Sequence, residues 1–296
     1  MSNYVIVTDS NIDLSPEMVN EFGLTVVPMV FEIDGKTYRN YPDNRDMSVK
    51  AFYDMLRNKK PATTTQINPA EFEQAWRPLL EAGNDLLSIS FSSALSGTYQ
   101  SALIAKNELE AEFPERKIVC IDSLCASMGQ GLFVSYAALL KEEGKSLLEV
   151  ASYLEDNKQS FCHLFTINDL GHLKRGGRLS ASSFVLGSLL NIKPLLHVSK
   201  EGQLKVYGKA RGRFKAINNM IARMHETFDY DKTKRIYISH GDCLEDAEYA
   251  KTLIVEKLGV DKNMIFINPI GPVIGAHSGV NTLAIFYLGN ERSLEE

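Results

Sequence analysis

Polar and apolar positions along this chain follow two rhythms, period two over short runs and period three to four over longer ones. Tyr4–Thr8 is a short apolar run, and a helical stretch near Ser15–Phe22 follows with Pro16 in its first turn. Thr25–Ile33 alternates and is rich in β-branched residues, and Asp34-Gly35 behind it is a hairpin-turn signal. Met47–Asn58 reads as a helix capped by Asp46 or Ser48. Thr63–Gln66 reads as a loop. After it come a helix from about Pro69 to Ala82, a strand Asp85–Phe91, a helix Thr98–Phe113 and a strand Lys117–Ile121. Strands separated by helices in this order predict a mostly parallel sheet with helices on its faces.

Two further helical stretches, Met128–Glu143 and Ser146–Asn157, lead to a change of character near Phe161. Beyond it, Leu195–Ser199 and Gln203–Lys209 read as hairpin strands around Glu201-Gly202, and Arg213–Phe228 as a long amphipathic helix. Arg235–His240, Asp242–Leu258, Met264–Pro269 and Asn281–Leu288 then give strand, helix, strand, strand. The expected fold is α/β with two α/β domains, residues 1–160 around a mostly parallel sheet and residues 161–296 around a mixed one.

Composition narrows the classes. A chain of 296 residues is too long for one small core and suits two domains of ordinary size. Its 44% hydrophobic and 23% charged residues are those of a soluble globular protein. A formal net charge of −5, with the signs well mixed, argues against nucleic acid, which needs a concentrated basic face. Apolar runs fall short of the roughly eighteen residues of a membrane span, so no stable membrane insertion is expected. Met1 leads directly into Tyr4–Val7 without a basic region or cleavage site, and the expected location is cytoplasmic. Cys120, Cys125, Cys162 and Cys243 form no C-x-x-C pair and read as buried reduced thiols. Neither they nor the six histidines have zinc-ligand spacing, so no metal is expected.

The chemistry lies in small-residue motifs far apart in sequence. Thr8-Asp9-Ser10 ends the first strand, where ligands of open α/β sheets bind, although such residues also make turns and caps. One hydroxyl suffices for a helix cap, yet Thr63-Thr64-Thr65 offers three ahead of Pro69, and the surplus points to a ligand. In Ser92–Thr98, Gly97 permits close backbone approach and the following helix offers free N–H groups, an arrangement for an anion. Ser96 is in no G-x-S-x-G elbow, and no His-Asp pair has recognisable spacing, which disfavours nucleophilic catalysis. Arg175-Gly176-Gly177-Arg178 lacks the Walker pattern; it reads as an anion cradle or as the end of a short helix, with Arg178 a structural pin or an interaction residue. In Gly275-Ala276-His277 a single His sits among small residues, where it can donate to a carboxylate.

Taken in order over the whole chain, Thr8–Ser10, Thr64–Gln66, Leu95–Thr98, Gly176–Arg178 and Gly275–His277 resemble the T-D-S, T-S-Q, L-S-G-T, G-G-R and G-x-H motifs of the DegV family, bacterial fatty-acid-binding proteins that include the FakB-type carriers. The sequence departs from the family at Thr65, where serine is usual, at Ile67-Asn68 in place of Pro-Ser, and at Gly279-Val280-Asn281 in place of G-P-G.

The resemblance implies a ligand site between the two domains, with the head-group loops on the first and most of the acyl-chain pocket on the second. It implies a carboxylate held by Thr64, Ser96 and His277, with Thr65 and the Gly97 N–H in support. Phe165, Leu186, Leu189, Leu190 and Ile192 are candidate wall residues. The implied protein is a carrier rather than an enzyme and has no cofactor. It holds a long-chain fatty acid such as palmitate or stearate and presents it to a partner fatty acid kinase. Arg178, Arg211 and Arg213 would then form a rim for docking or phosphate attraction. Burial of a sixteen-carbon tail offers on the order of 10 kcal/mol gross, against several kcal/mol for a carboxylate without donors. The alternative is a phosphotransferase or phosphometabolite-binding enzyme using Arg178 and helix N-termini; against it, the sequence has no carboxylate cluster arranged for Mg²⁺ and no nucleotide loop.

Overall fold

The computed structural model describes residues 3–179, 191–290 and Arg292. Leu186, Leu189 and Leu190 lie outside the described residues. In the first half, strands β1 (Tyr4–Asp9), β2 (Leu24–Val27), β3 (Met29–Ile33), β4 (Lys36–Asn40), β5 (Ala62–Thr65), β6 (Asp85–Ser90) and β7 (Ile118–Asp122) are separated by helices α1 (Pro16–Glu21), α2 (Val49–Arg57), α3 (Pro69–Glu81) and α4 (Thr98–Glu112). Strands β2-β1-β6-β7 form a wholly parallel sheet, as the alternation of strand and helix predicts. Period two decides its faces: Tyr4 and Ile6 enter one core, Val7 another.

Thr25–Ile33 is two strands rather than one. Pro28 cannot donate to a ladder, and the chain passes there from the parallel sheet into a small antiparallel one, β4-β3-β5. Asp34 and Gly35 both take positive φ, the hairpin turn expected of that pair. Thr63–Gln66 is not simply a loop either. β5 covers Ala62–Thr65, since β-branched threonines suit a strand and the edge of β3 is free to pair, Phe31 opposite Thr64. Nor do the threonines cap the next helix: Asn68 does, in a reciprocal capping box with Glu71.

Helices α5 (Met128–Glu142) and α6 (Leu147–Asn157) lead to the second half. It comprises β8 (Phe161–Thr166), α7 (Gly171–Arg175), β9 (Ile192–Val198), β10 (Leu204–Arg211), α8 (Arg213–Thr227), β11 (Ile236–His240), α9 (Leu244–Leu258), β12 (Ile265–Pro269), α10 (Pro272–Ser278) and β13 (Leu283–Leu288). The strands form one mixed sheet in the order β10-β9-β8-β13-β11-β12, in which β11 and β12 run parallel. β8 and α10 escape the periodicity argument. β8 is buried at every position and shows no alternation, and α10 is seven residues of mostly small side chains.

α5 lies between the two large sheets, packing on β1 on one side and on β8, β11 and β13 on the other. Its residues join Tyr4, Ile6, Leu87, Phe165, Val198 and Phe286 in one continuous core. The outer face of the mixed sheet packs on α8 and α9. α10 crosses over: its Val273 and Ala276 enter the core of the first half beside Phe31, Phe52 and Tyr53.

Candidate functional site

A cavity of about 300 Å³ opens in this central layer, beyond the carboxyl ends of β1 and β6. Its wall is chiefly apolar: Met29, Phe91 and Leu95 from the first half; Phe165, Val198, Leu204, Ile274 and Phe286 from the second. Phe165 is therefore a wall residue, whereas Ile192 starts β9 opposite Arg211 and is absent from the lining. Polar side chains gather where Thr64, Thr65, Gln66, Ser96, Arg178 and His277 border the void.

Thr64 and His277 stand on either side of that mouth, 213 residues apart, with Thr64 Oγ1 and His277 Nε2 hydrogen-bonded at 2.8 Å. Burial, and then the Arg178 guanidinium beside it, push the His277 ring down to about 4, so the imidazole is neutral near pH 7. A neutral ring donates from one nitrogen and accepts at the other. When Nε2–H donates to Thr64, the threonine hydroxyl is free to donate into the cavity. Gly176 makes the position of the ring feasible, because a Cβ there would collide with His277 Nδ1. The glycine pair also ends α7, with Gly177 at φ 69°; the helix-end reading of that segment is the one the backbone adopts.

Ser96 lies in the turn before α4. Its hydroxyl accepts the Thr98 N–H at 3.3 Å and pairs with Thr98 Oγ1 at 2.9 Å, so it helps to close the helix while bordering the cavity. The first amides of α4 have no partner within the helix, and its dipole favours an anion there. Gly97 allows close approach, but by a side chain of this protein: a Cβ on it would collide with Gln66 Oε1, whose amide nitrogen donates to Ser101 Oγ at 3.3 Å.

Arg178 spans the mouth, donating from Nε to the Leu95 carbonyl at 3.1 Å and from Nη1 to the Gly176 carbonyl. Thr64, Arg178 and His277 also border an outer cleft, with Lys59, Lys60, His172 and Arg175 on its walls and, among the described residues, Asp169 as its one acidic lining residue. These three residues thus separate an apolar interior from a cationic exterior. Arg211 and Arg213 are not brought to either space. Arg211 is exposed at the end of β10, and Arg213 is ion-paired with Asp246 at 2.8 Å.

Thr8, Asp9 and Ser10 turn out to hold the fold. Thr8 donates to the Ile89 carbonyl, Asp9 accepts the amides of Asn11 and Phe91, and Ser10 accepts that of Met29. Sequence reasoning missed His163 and Ser127, which border the cavity. His163 accepts the Ala126 amide at Nε2 (3.3 Å), and burial holds its ring neutral. Ser127 occupies a strained φ 53°, ψ −145°, a backbone fact with no local sequence signal. Among the described residues no cluster of His, Cys, Asp and Glu is placed to hold a metal, and no helix is long and apolar enough to cross a membrane.

Comparison with known proteins extends over the same range. A family model described as an uncharacterised protein of the DegV family matches residues 3–290. A DegV domain-containing protein of Clostridium perfringens is 41% identical over 292 residues, covering 99% of each chain. Among solved structures, a DegV family protein from Thermus thermophilus described for its fatty acid binding superposes with a TM-score of 0.84 at 32% identity, covering 97% of this chain and 99% of that one. DegV of Bacillus subtilis, described as a fatty acid binding protein, superposes with a TM-score of 0.82 at 28% identity, covering 98% and 100%. With its motifs, its two sheets and the full length of its match in agreement, this chain belongs to the DegV family.

Proposed function

We propose that this protein holds one long-chain fatty acid, its tail in the apolar cavity and its carboxylate at the Thr64–Ser96–His277 mouth. The observation that carries this reading is the grading of a single cavity from apolar wall to neutral hydrogen-bond donors. The likeness to relatives described as fatty-acid-binding supports it. A cavity of this volume falls at the lower end of the roughly 300–1,000 Å³ typical of small-molecule sites. In this reading the Thr64 and Ser96 hydroxyls and the Gly97 N–H donate to the carboxylate, Thr65 supports the edge, and the Arg178 charge compensates the anion. The approaching carboxylate favours a protonated His277, opposing the burial that keeps the ring neutral in its absence.

In the same reading the outer cleft is where a partner fatty acid kinase phosphorylates the bound acid. Lys59, Arg175 and Arg178 draw phosphate toward the carboxyl group, while Lys60 is ion-paired with Asp34 at 2.9 Å. The carrier itself supplies neither nucleotide nor metal. Arg211 and Arg213 are offered as a separate docking rim, and charge reversal at both that leaves phosphorylation of the bound acid unchanged would remove them from it.

Native mass spectrometry of the purified protein, followed by denaturing extraction, tests the core of this reading. A stoichiometric C14–C18 acid, lost in Ser96→Ala and His277→Ala, is the expected result. An empty protein that takes up no added fatty acid, yet melts higher with ATP and Mg²⁺ or a phosphorylated metabolite, would favour the enzyme alternative.

A further inference from the structure

Helix α10 carries His277 and packs on α7 of its own half, yet also on α2, β3 and β5 of the other half of the chain. Its N-terminal end is held by two buried side chains that the carboxylate site does not use. Asp13 accepts the Gly271 amide at Oδ1 (2.9 Å) and the Ser127 hydroxyl at Oδ2 (2.6 Å), while its own carbonyl accepts Asn268 Nδ2 at 2.7 Å. Tyr53, fully buried on α2, donates its hydroxyl to the Ile270 carbonyl at 3.1 Å. Asp13 holds this place at φ 50°, a left-handed backbone that side chains seldom adopt. Ser127 in turn lies 3.0 Å from Ser239 Oγ of β11, so a single carboxylate joins the end of β1, the start of α5, the start of α10 and the mixed sheet. Two turns further on, α10 presents the His277 ring to Thr64.

We propose that Asp13 and Tyr53 are positioning residues. They fix α10 to the first half of the chain, so that His277 is held against Thr64 before any ligand arrives. Thr64, Ser96 and His277 then move as one body despite their separation in sequence, and a ligand meets a formed donor set rather than assembling one. A short helix of seven residues has little stability of its own, which is why its register depends on these anchors. Burial raises the Asp13 carboxyl to about 7, with neighbouring Asp9 adding to the rise and the Ser127 and Gly271 bonds opposing it. An Asn at this position keeps the acceptor for Gly271 and offers Ser127 a donor in place of an acceptor, so charge and geometry are separable.

The test follows His277 itself by NMR titration of its ring in Asp13→Ala, Asp13→Asn and Tyr53→Phe, alongside stearate affinity. The titration arm does not depend on the fatty-acid reading, and the affinity arm rests on it; wild type failing to bind stearate would sink that reading and leave this one standing. Expected is a His277 midpoint that stays low in wild type and Asp13→Asn, moves up toward 6.5 in Asp13→Ala as the ring loses burial, and shifts less in Tyr53→Phe. Stearate affinity falls about tenfold or more in Asp13→Ala and within threefold in Asp13→Asn. A folded Asp13→Ala protein with the wild-type midpoint overturns the proposal. If that variant does not fold, an unmoved midpoint in Tyr53→Phe overturns it.

Discussion

At the scale of single residues, the mouth of the cavity depends on contacts with no room to spare. Gly176→Ala places a methyl against His277 Nδ1 with the α7 backbone behind it. The ring must move, and overpacking of this kind costs about 1–3 kcal/mol. Calorimetric titration with stearate should show at least a tenfold loss of affinity; wild-type affinity would mean that the ring position is irrelevant to binding. Neighbouring Gly177 has open space but φ 69°, so Gly177→Ala is strained on its own account and should lower stability by about 1 kcal/mol without touching the site. His277 also fixes a pH dependence. Its ring titrates near 4 in the folded protein and at an ordinary 6.5 in the unfolded chain. Between those values the unfolded state binds the extra proton, so this group removes stability as pH falls from 6.5 toward 4. Buried His197, also pushed to about 4, acts in the same direction. Asp13 acts in the opposite one: raised from 3.8 to about 7, it contributes stability at low pH that is lost as pH rises through 7. Urea denaturation at stepped pH should therefore show a shallower acid loss between 6.5 and 4 in His277→Gln and a steeper one in Asp13→Asn. Parallel profiles for all three proteins would contradict these assignments.

At the scale of elements, β5 and the start of α3 separate two roles that the sequence Thr63–Asn68 runs together. Thr64 holds a strand position by its branched Cβ and meets His277 through its hydroxyl. Thr64→Val preserves the first and removes the second: thermal stability should stay within about 1 kcal/mol while fatty-acid affinity drops by an order of magnitude. Asn68→Ala removes the capping box of α3 and should do the reverse, costing about 1 kcal/mol of stability with affinity unchanged. A joint loss of both properties in either variant would mean that strand and cap are coupled. This stretch also shows the limit of local reading. Three threonines in a row are equally good as a polar loop, a set of caps or an edge strand, and the unpaired edge of β3 decides between them. β8 escaped for a related reason, since a strand buried on both faces by α5 and α8 has no polar alternation to reveal it.

At the scale of the whole molecule, two sheets and the helix between them make a cavity that neither half encloses alone. A ligand that binds only the folded form should stabilise it by RT ln(1 + [L]/Kd), about 2.7 kcal/mol at a hundredfold excess over Kd. Scanning calorimetry should therefore show a clear rise in melting temperature with stearate in the wild type and a smaller one in Ser96→Ala, which keeps the apolar wall but removes a carboxylate donor. An equal rise in both proteins would mean that the Ser96 hydroxyl does not hold the carboxylate. The sequence by itself determined most of the order of strands and helices, with β5, β8, α10 and the break at Pro28 outside its reach. It also determined the parallel and mixed sheets and the family, because these rest on local periodicity, turn chemistry and motifs that survive as short strings. It also marked Thr64, Ser96 and His277 as members of one set, through resemblance. Only the tertiary structure decided that Thr8–Ser10 serve the fold and that Arg213 is occupied by Asp246. It likewise decided that Arg178 spans the cavity mouth and that α10 is anchored by Asp13 and Tyr53. These are matters of which distant groups meet. A hydroxyl, a guanidinium or a carboxylate carries the same chemistry in the sequence wherever it stands, and its role is set by the partner that folding brings within about 3 Å.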